Sequence, residues 1–326
     1  MSNPGRVCPL HYRYSPAVFA GNPDLCADTV YVVGGLYGNI HALDAIDALA
    51  AAERSAVALV FNGDFHWFDI ADDAFVVVDD RVRRHFALRG NVETELAGED
   101  ADAGCGCAYP ASVADEIVAR SNRILSRLRE TARRFPDLRT RLGRLPMHAV
   151  AAIGPLRVGI VHGDAESLAG WGFDAGALDD PMGQGWLQHC FDAARVDLFA
   201  SSHTCLPVCR AFTFDGHEAA VINNGAAGMP NFRGTQYGVV TRIGLTPSPH
   251  ATLYGLRLRG VFVDALAVAY DQAAWRENFL HQWPPGSPAH ESYFRRICDG
   301  PDFDLAYARP AGAGRAYTGA CAATTP

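Results

Sequence analysis

Thr29-Val30-Tyr31-Val32-Val33-Gly34-Gly35-Leu36-Tyr37-Gly38-Asn39 is an apolar, β-branched run that breaks on two glycines and opens onto a helical pattern. Branched and aromatic side chains suit a strand, and glycine permits a sharp exit from it. Over residues 40–53 the apolar residues Leu43, Ile46 and Leu49 recur at helical spacing, and residues 56–61 form a second apolar run that ends in Asn62-Gly63-Asp64. This is a β-loop-α-β unit, so the stretch predicts an α/β protein. The loop contains no acid and no histidine. It is therefore either a glycine loop that cradles phosphate or a metal-binding loop whose ligands are gone.

Outward from this unit, short strands are expected at 74–78 and 86–89, the second ending in Gly90-Asn91. Residues 97–110 read as a loop. Ser112-Val113-Ala114-Asp115 resembles a capping box, and Val113, Ile117, Ile124, Leu128 and Phe135 give a helical stripe up to Pro136. Residues 147–153 and 156–161 flank Gly154-Pro155 as a hairpin whose second strand ends in His162-Gly163, and a strand at 196–200 ends in Ser202-His203-Thr204. Strand-like periods at 219–222, 238–241, 251–258 and 261–268 read as antiparallel strands of a second sheet. The tail from Asp271 reads as a helix and irregular wrap, with the last dozen residues loose.

Composition narrows the function. The chain has 326 residues, 49% of them hydrophobic, and a formal net charge of −8. That acidic balance argues against nucleic acid as the main partner, and no apolar run approaches the roughly 18 residues of a membrane span. The arginines between Arg120 and Arg144 read as a solvated helix face in a chain without lysine. Pro4, Cys8, Pro9, His11 and Arg13 interrupt any signal-peptide core, so a cytoplasmic location is expected. Nine cysteines, an odd number, fit reduced thiols better than a disulfide framework.

The strands end, in order, at Gly34-Gly35, Asn62-Gly63-Asp64, Gly90-Asn91, His162-Gly163 and His203-Thr204. Loops at the strand ends of an α/β sheet converge on one crevice. An Asp, an Asn and two His arriving there form a divalent-metal set, suited to Mn, Fe or Zn.

In this order the motifs resemble the calcineurin-like metallophosphoesterase superfamily, and within it the compact prokaryotic phosphodiesterase type. The family pattern runs D-x-H-G-N, G-D-x-x-D, G-N-H-[DE], a strand ending in H, then G-H-[ST]-H. This chain offers Gly35-Leu36-Tyr37-Gly38-Asn39, Gly63-Asp64, Gly90-Asn91-Val92-Glu93, Val161-His162-Gly163 and Ser202-His203-Thr204-Cys205. Ile222-Asn223-Asn224-Gly225, with Pro230 beyond, is similar to the family's I-N-P-G-S loop.

The resemblance implies a single α/β/β/α sandwich of two mixed sheets flanked by helices. Its core would span about 29–270, with a helical insertion at 97–146 and a C-terminal extension at 271–326, additions placed to cap the crevice or a homodimer surface. It further implies hydrolysis of a small phosphoester by metal-activated water. One metal would be held by Asp64, Asn91, His162 and His203. The other would need an Asp and two His where the chain has Gly35, Tyr37 and Cys205, and the family's catalytic His is Val92 here. His66 is a candidate for acting on the leaving group.

Three accounts of the altered loop stay open, with one or two ions per chain. A mononuclear hydrolase would use Gly34, Gly35, Gly38 and Asn39 to hold phosphate through backbone N–H groups. A re-liganded site would use Tyr37 and Cys205, with Cys105 or Cys107 reaching in, and would favour iron or zinc. A pseudoenzyme would keep the fold and one ion as a binding or regulatory protein. A Rossmann loop is the rival outside the family, but GGLYGN lacks its G-x-G-x-x-G spacing.

Overall fold

The computed structural model of this chain describes residues 4–99, 103–310 and the backbone of 315–317. In chain order the elements are β1 (Leu25–Cys26), β2 (Thr29–Val33), α1 (Ile40–Ala51), β3 (Val57–Asn62), α2 (Asp72–Val82), β4 (Phe86–Leu88), α3 (Asn91–Ala97), α4 (Asp115–Ala132) and α5 (Pro136–Arg144). There follow β5 (His148–Ile153), β6 (Leu156–Val161), α6 (Ala175–Asp179), α7 (Gln184–Ala194), β7 (Leu198–Ser201), β8 (Pro207–Phe214), β9 (His217–Asn224), β10 (Gly238–Gly244), β11 (Thr252–Leu258) and β12 (Val261–Val268). The chain continues through α8 (Gln272–Gln282), α9 (Pro288–Asp299), α10 (Leu305–Ala308) and β13 (Arg315–Tyr317).

Two mixed sheets result, ordered β13-β11-β12-β10-β2-β3-β4 and β1-β5-β6-β7-β9-β8. The alternation of side chains along a strand sorts the core into layers. Val30 and Val32 of β2 face inward and pack with Ile160, Leu198 and Ile222 of the other sheet. Their neighbours Tyr31 and Val33 face outward, against Leu43 and Ile46 of α1, Phe75 of α2 and Trp275 of α8. On the far side Val161, Phe199 and Val221 pack on Leu187 and Phe191 of α7. The architecture is the expected α/β/β/α sandwich. Arg242, fully buried in β10, is held by Glu53 and lies 3.3 Å from Asp264. Among the described residues no helix is long and apolar enough to cross a membrane.

Several expectations change. Residues 74–78 lie inside α2: Phe75, Val78, Val82 and Asp79 bury one helical face, with Asp72 and Asp73 in the first turn and Arg81 in the last. Acids at the start and a base at the end suit the helix dipole, and this outweighs the β-branched run Val76-Val77-Val78. The Ser112 box does not form; α4 starts at Asp115 without a side-chain cap. The strands over 238–268 join the first sheet, because β10 pairs antiparallel with β2. The second sheet instead gains β8, absent from the sequence reading, as the antiparallel partner of β9. Of the last dozen residues, 315–317 pair with β11 and the rest lie outside the described residues.

Candidate metal centre and its cavity

The ends of β3, β4, β6 and β7 meet at one point, and glycine is what lets them meet. A Cβ on Gly63 would lie 2.6 Å from Gly90 Cα, and one on Gly90 would lie 2.3 Å from Asp64 Oδ1. Only hydrogens fit between these two strand ends. Asp64 has φ +51, a left-handed conformation uncommon outside glycine, which turns its carboxylate toward the neighbouring strand ends. Buried Glu93 fastens the turn: its carboxylate accepts the N–H groups of Gly90 (2.8 Å), Asp64 (2.8 Å), Phe65 (3.0 Å) and His66 (3.2 Å). The sequence reading quoted Glu93 as part of a motif and missed this role, which depends on amides from another strand end.

The four expected ligands come together. His162 Nδ1 lies 3.0 Å from the Asn62 carbonyl, which requires the proton on Nδ1 and turns the Nε2 lone pair inward. His203 Nε2 lies 3.0 Å from the Cys107 carbonyl, so its Nδ1 lone pair faces inward too, 3.1 Å from His162 Nε2. The Asn91 amide donates to the Cys105 carbonyl (2.9 Å) and leaves Oδ1 3.0 Å from His162 Nε2. Asp64 Oδ2 stands 3.4 Å from the same nitrogen. One ligand atom each from Asp64, His162 and His203 lies within 4.8 Å of the others.

With His162 neutral, four lone pairs converge in this buried space, the carbonyl-bound N–H groups of both rings being turned outward. Carbonyl-anchored imidazoles of this kind are the usual support of metal ligands. Burial and then the charge of His162 push His203 down to about 3. For His162 burial acts downward, but Asp64, Glu93 and the Asn62 carbonyl together outweigh it and the net shift is upward. The residues present fit a divalent cation.

Other expected site residues are placed differently. His66 is fully buried, its Nδ1 2.6 Å from Asp69 and its ring stacked 4.2 Å from Phe75, away from the cavity. It is a packing histidine. The glycine loop does not hold its amides open for phosphate: the N–H groups of Gly35, Tyr37, Gly38 and Asn39 donate to the carbonyls of Gly63, Asp64, Phe65 and Leu36. Gly34 accepts from Ala227 on the Asn223-Asn224 side, and Asn39 caps α1 through the Ala42 N–H. The loop is a backbone strut beneath the site.

Tyr37 and Cys205 do meet, Oη 2.9 Å from Sγ, and both line the cavity together with Asp64. Burial and then the neighbouring Cys205 and Asp64 raise the Tyr37 phenol well above its ordinary range; burial raises the Cys205 thiol, against the opposing effects of Arg296 and the Tyr37 hydrogen bond. Cys107 reaches the cavity and Cys105 packs in the core.

Above the ligands lies a cavity of about 390 Å³. Its walls come from segments that no motif marked: Trp67 after β3, Tyr109 in the 103–114 loop, Ile117 of α4, Trp171 after β6, and Tyr293 and Arg296 of α9. The insertion and the C-terminal extension meet over it, where Arg120 Nε donates to Ser292 Oγ at 2.8 Å.

No protein-family model matches the sequence, and no curated protein matches it. Solved structures do. A metallophosphoesterase from Sphaerobacter thermophilus is similar at TM-score 0.54 and 17% identity, covering 84% of this chain and 100% of that one. The chain has the calcineurin-like metallophosphoesterase fold. A hypothetical protein from Pyrococcus horikoshii OT3 is similar at TM-score 0.57 and 15% identity, covering 84% of this chain and 99% of that one. On this metallophosphoesterase fold the strand ends bring the four expected ligand residues together, and the Tyr37–Cys205 pair stands beside them. Gly35 has φ +64, and a Cβ there would lie 3.1 Å from Ala226 Cα. A side chain at that position would need both a left-handed backbone and a shift of Ala226.

Proposed function

We propose that the protein hydrolyses a phosphoester at a site that holds one metal ion through Asp64, Asn91, His162 and His203. The observation that carries this reading is the convergence of their four lone pairs at the floor of an open cavity. A divalent ion there supplies Lewis-acid polarisation of the phosphoryl group and a water acidified enough to attack. With such an ion bound, the attacking water would give up a proton as its oxygen bonds to phosphorus, and the departing ester oxygen would take a proton as the P–O bond breaks, leaving as the alcohol. Carbonyl-bound Nδ1 of His162 and Nε2 of His203 fix the ring orientations, and Glu93 keeps Asp64 in place. Arg296 brings a guanidinium to the cavity, and its Nη2 is anchored on the Cys205 carbonyl at 2.7 Å.

The Tyr37–Cys205 hydrogen bond, where the family resemblance implies two histidines, favours one second reading, a binding protein that keeps the fold and one ion without turnover. Bis(p-nitrophenyl) phosphate separates the two. The hydrolase releases p-nitrophenol with Mn, Zn or Fe, and loses activity on chelation and in Asp64→Asn. Absence of turnover above the Asp64→Asn control with every metal overturns the hydrolase reading.

A further inference from the structure

The cavity has two aromatic sides. On one, Tyr109 and Trp171 have ring centroids 6.0 Å apart, and Trp171 stands edge-on to His203 at 5.5 Å. On the other, Tyr37, Trp67 and Tyr293 are joined through Phe68, at centroid distances of 5.9, 6.4 and 5.1 Å. Among the described residues no ring contact links the two groups, and both line the same space.

Three of the five rings have their polar atoms tied up. Trp171 Nε1 donates to the Cys107 carbonyl (3.0 Å), Tyr109 Oη meets Ser121 Oγ (3.0 Å) and Tyr37 Oη meets Cys205 Sγ (2.9 Å). What the cavity receives is ring surface, extended by Val92, Val113, Ile117 and Leu206. A sugar or other hydroxyl-rich group would leave most of its hydroxyls unpaired against such largely apolar walls, at a cost. A planar ring would stack on them. Arg296 adds a cation: its Nε and Nη2 donate to the carbonyls of Pro230 and Cys205, and among the described residues no carboxylate forms an ion pair with it. A guanidinium so placed favours a phosphoryl anion.

We propose that the substrate is a phosphoester whose organic group is an aromatic or similarly planar apolar ring, seated between the Tyr109–Trp171 side and the Trp67–Tyr293 side, with its phosphoryl group facing Arg296. The catalytic half of this rests on the hydrolase reading; the recognition half does not. Tyr109, Val113 and Ile117 belong to the insertion and Tyr293 and Arg296 to the C-terminal extension, so the two additions to the sandwich build the specificity.

Calorimetric titration of the full chain with diphenyl phosphate and dimethyl phosphate tests it, because the two monoanions share a phosphoryl charge and differ in their rings. Diphenyl phosphate binds about tenfold tighter or more, as burial of a ring predicts. Trp171→Ala removes most of that difference and Trp171→Phe restores it. Ile117→Asp, at a helix position 40% exposed and safe for folding, also weakens diphenyl phosphate several-fold. Arg296→Gln weakens both esters alike. Equal affinities in the wild type, or a preference unchanged in both Trp171→Ala and Ile117→Asp, overturn the proposal. Ring preference without turnover of any ester upholds this inference and removes the hydrolase reading; turnover with equal affinities does the reverse.

Discussion

Tyr37 Oη lies 2.9 Å from Cys205 Sγ, and both residues have left-handed backbones, at φ +56 and +60. The two positions are those of the histidines that the family resemblance implies for a second ion. Here the two side chains are hydrogen-bonded to each other, and Gly35 offers no side-chain donor beside them.

The wild type therefore retains one ion per chain. Tyr37→Phe and Cys205→Ser leave that stoichiometry unchanged, and iron-loaded protein shows no visible charge-transfer band. Metal analysis with an absorption spectrum decides it. A band that either substitution abolishes would establish a re-liganded second site.

Asp64→Ala and His203→Ala lose the ion, since three protein donors or fewer hold a divalent cation poorly against water. His217→Ala and His250→Ala keep it: His217 is exposed, and His250 Nε2 is committed to the Leu49 carbonyl at 2.9 Å. Equal metal content in all four variants would remove the ligand assignment.

Glu93→Gln destabilises the fold by roughly 3 kcal/mol, because an amide presents N–H to a pair of buried backbone donors that then lack an acceptor. Asp64 loosens with it, so retained metal falls as well. Urea unfolding and metal content report the two effects. A loss under about 1 kcal/mol with full metal would show that the four amide contacts matter little.

Glu53 couples stability to pH. Burial acts to raise its pKa, but hydrogen bonds from Arg242 and Tyr31 outweigh this and hold it below the ordinary value of 4.5. A carboxyl depressed on folding contributes stability above the unfolded pKa, and that contribution disappears as pH falls through the folded value. Glu53→Gln costs about 2 kcal/mol at pH 7, where it leaves the buried guanidinium with only one of its two carboxylates, Asp264, and its penalty shrinks below pH 4.5. Urea midpoints across that range check the sign; a penalty that grows on acidification contradicts it.

The ligands were legible because each stands just past an apolar strand, where a strand end has few places to go. Asp64, Asn91, His162 and His203 follow β3, β4, β6 and β7, and their order along the chain carried the reading. His66 misled because adjacency in sequence to Asp64 says nothing of direction. Asp64 at φ +51 turns the chain, and the next histidine faces Asp69 and Phe75 instead of the cavity. The glycine loop misled for a related reason: glycines permit open amides, but strand ends across the gap accept them first.

By itself the sequence determined the α/β class and the candidate ligands at the strand ends, since apolar strand runs and the residue just past each of them are local properties; it put the strands over 238–268 in the wrong sheet, because pairing partners are not local. Only the tertiary structure decided what surrounds the ligands. Trp171, Tyr109, Tyr293 and Arg296 lie on segments without a shared period, up to 187 positions apart by their numbers. Packing of α4 against α9 brings Tyr293 and Arg296 over the insertion, a long-range contact that no local pattern encodes. Glu93 became a clamp and Tyr37 a neutral partner of Cys205 for the same reason: the groups that define their chemistry arrive from other strand ends.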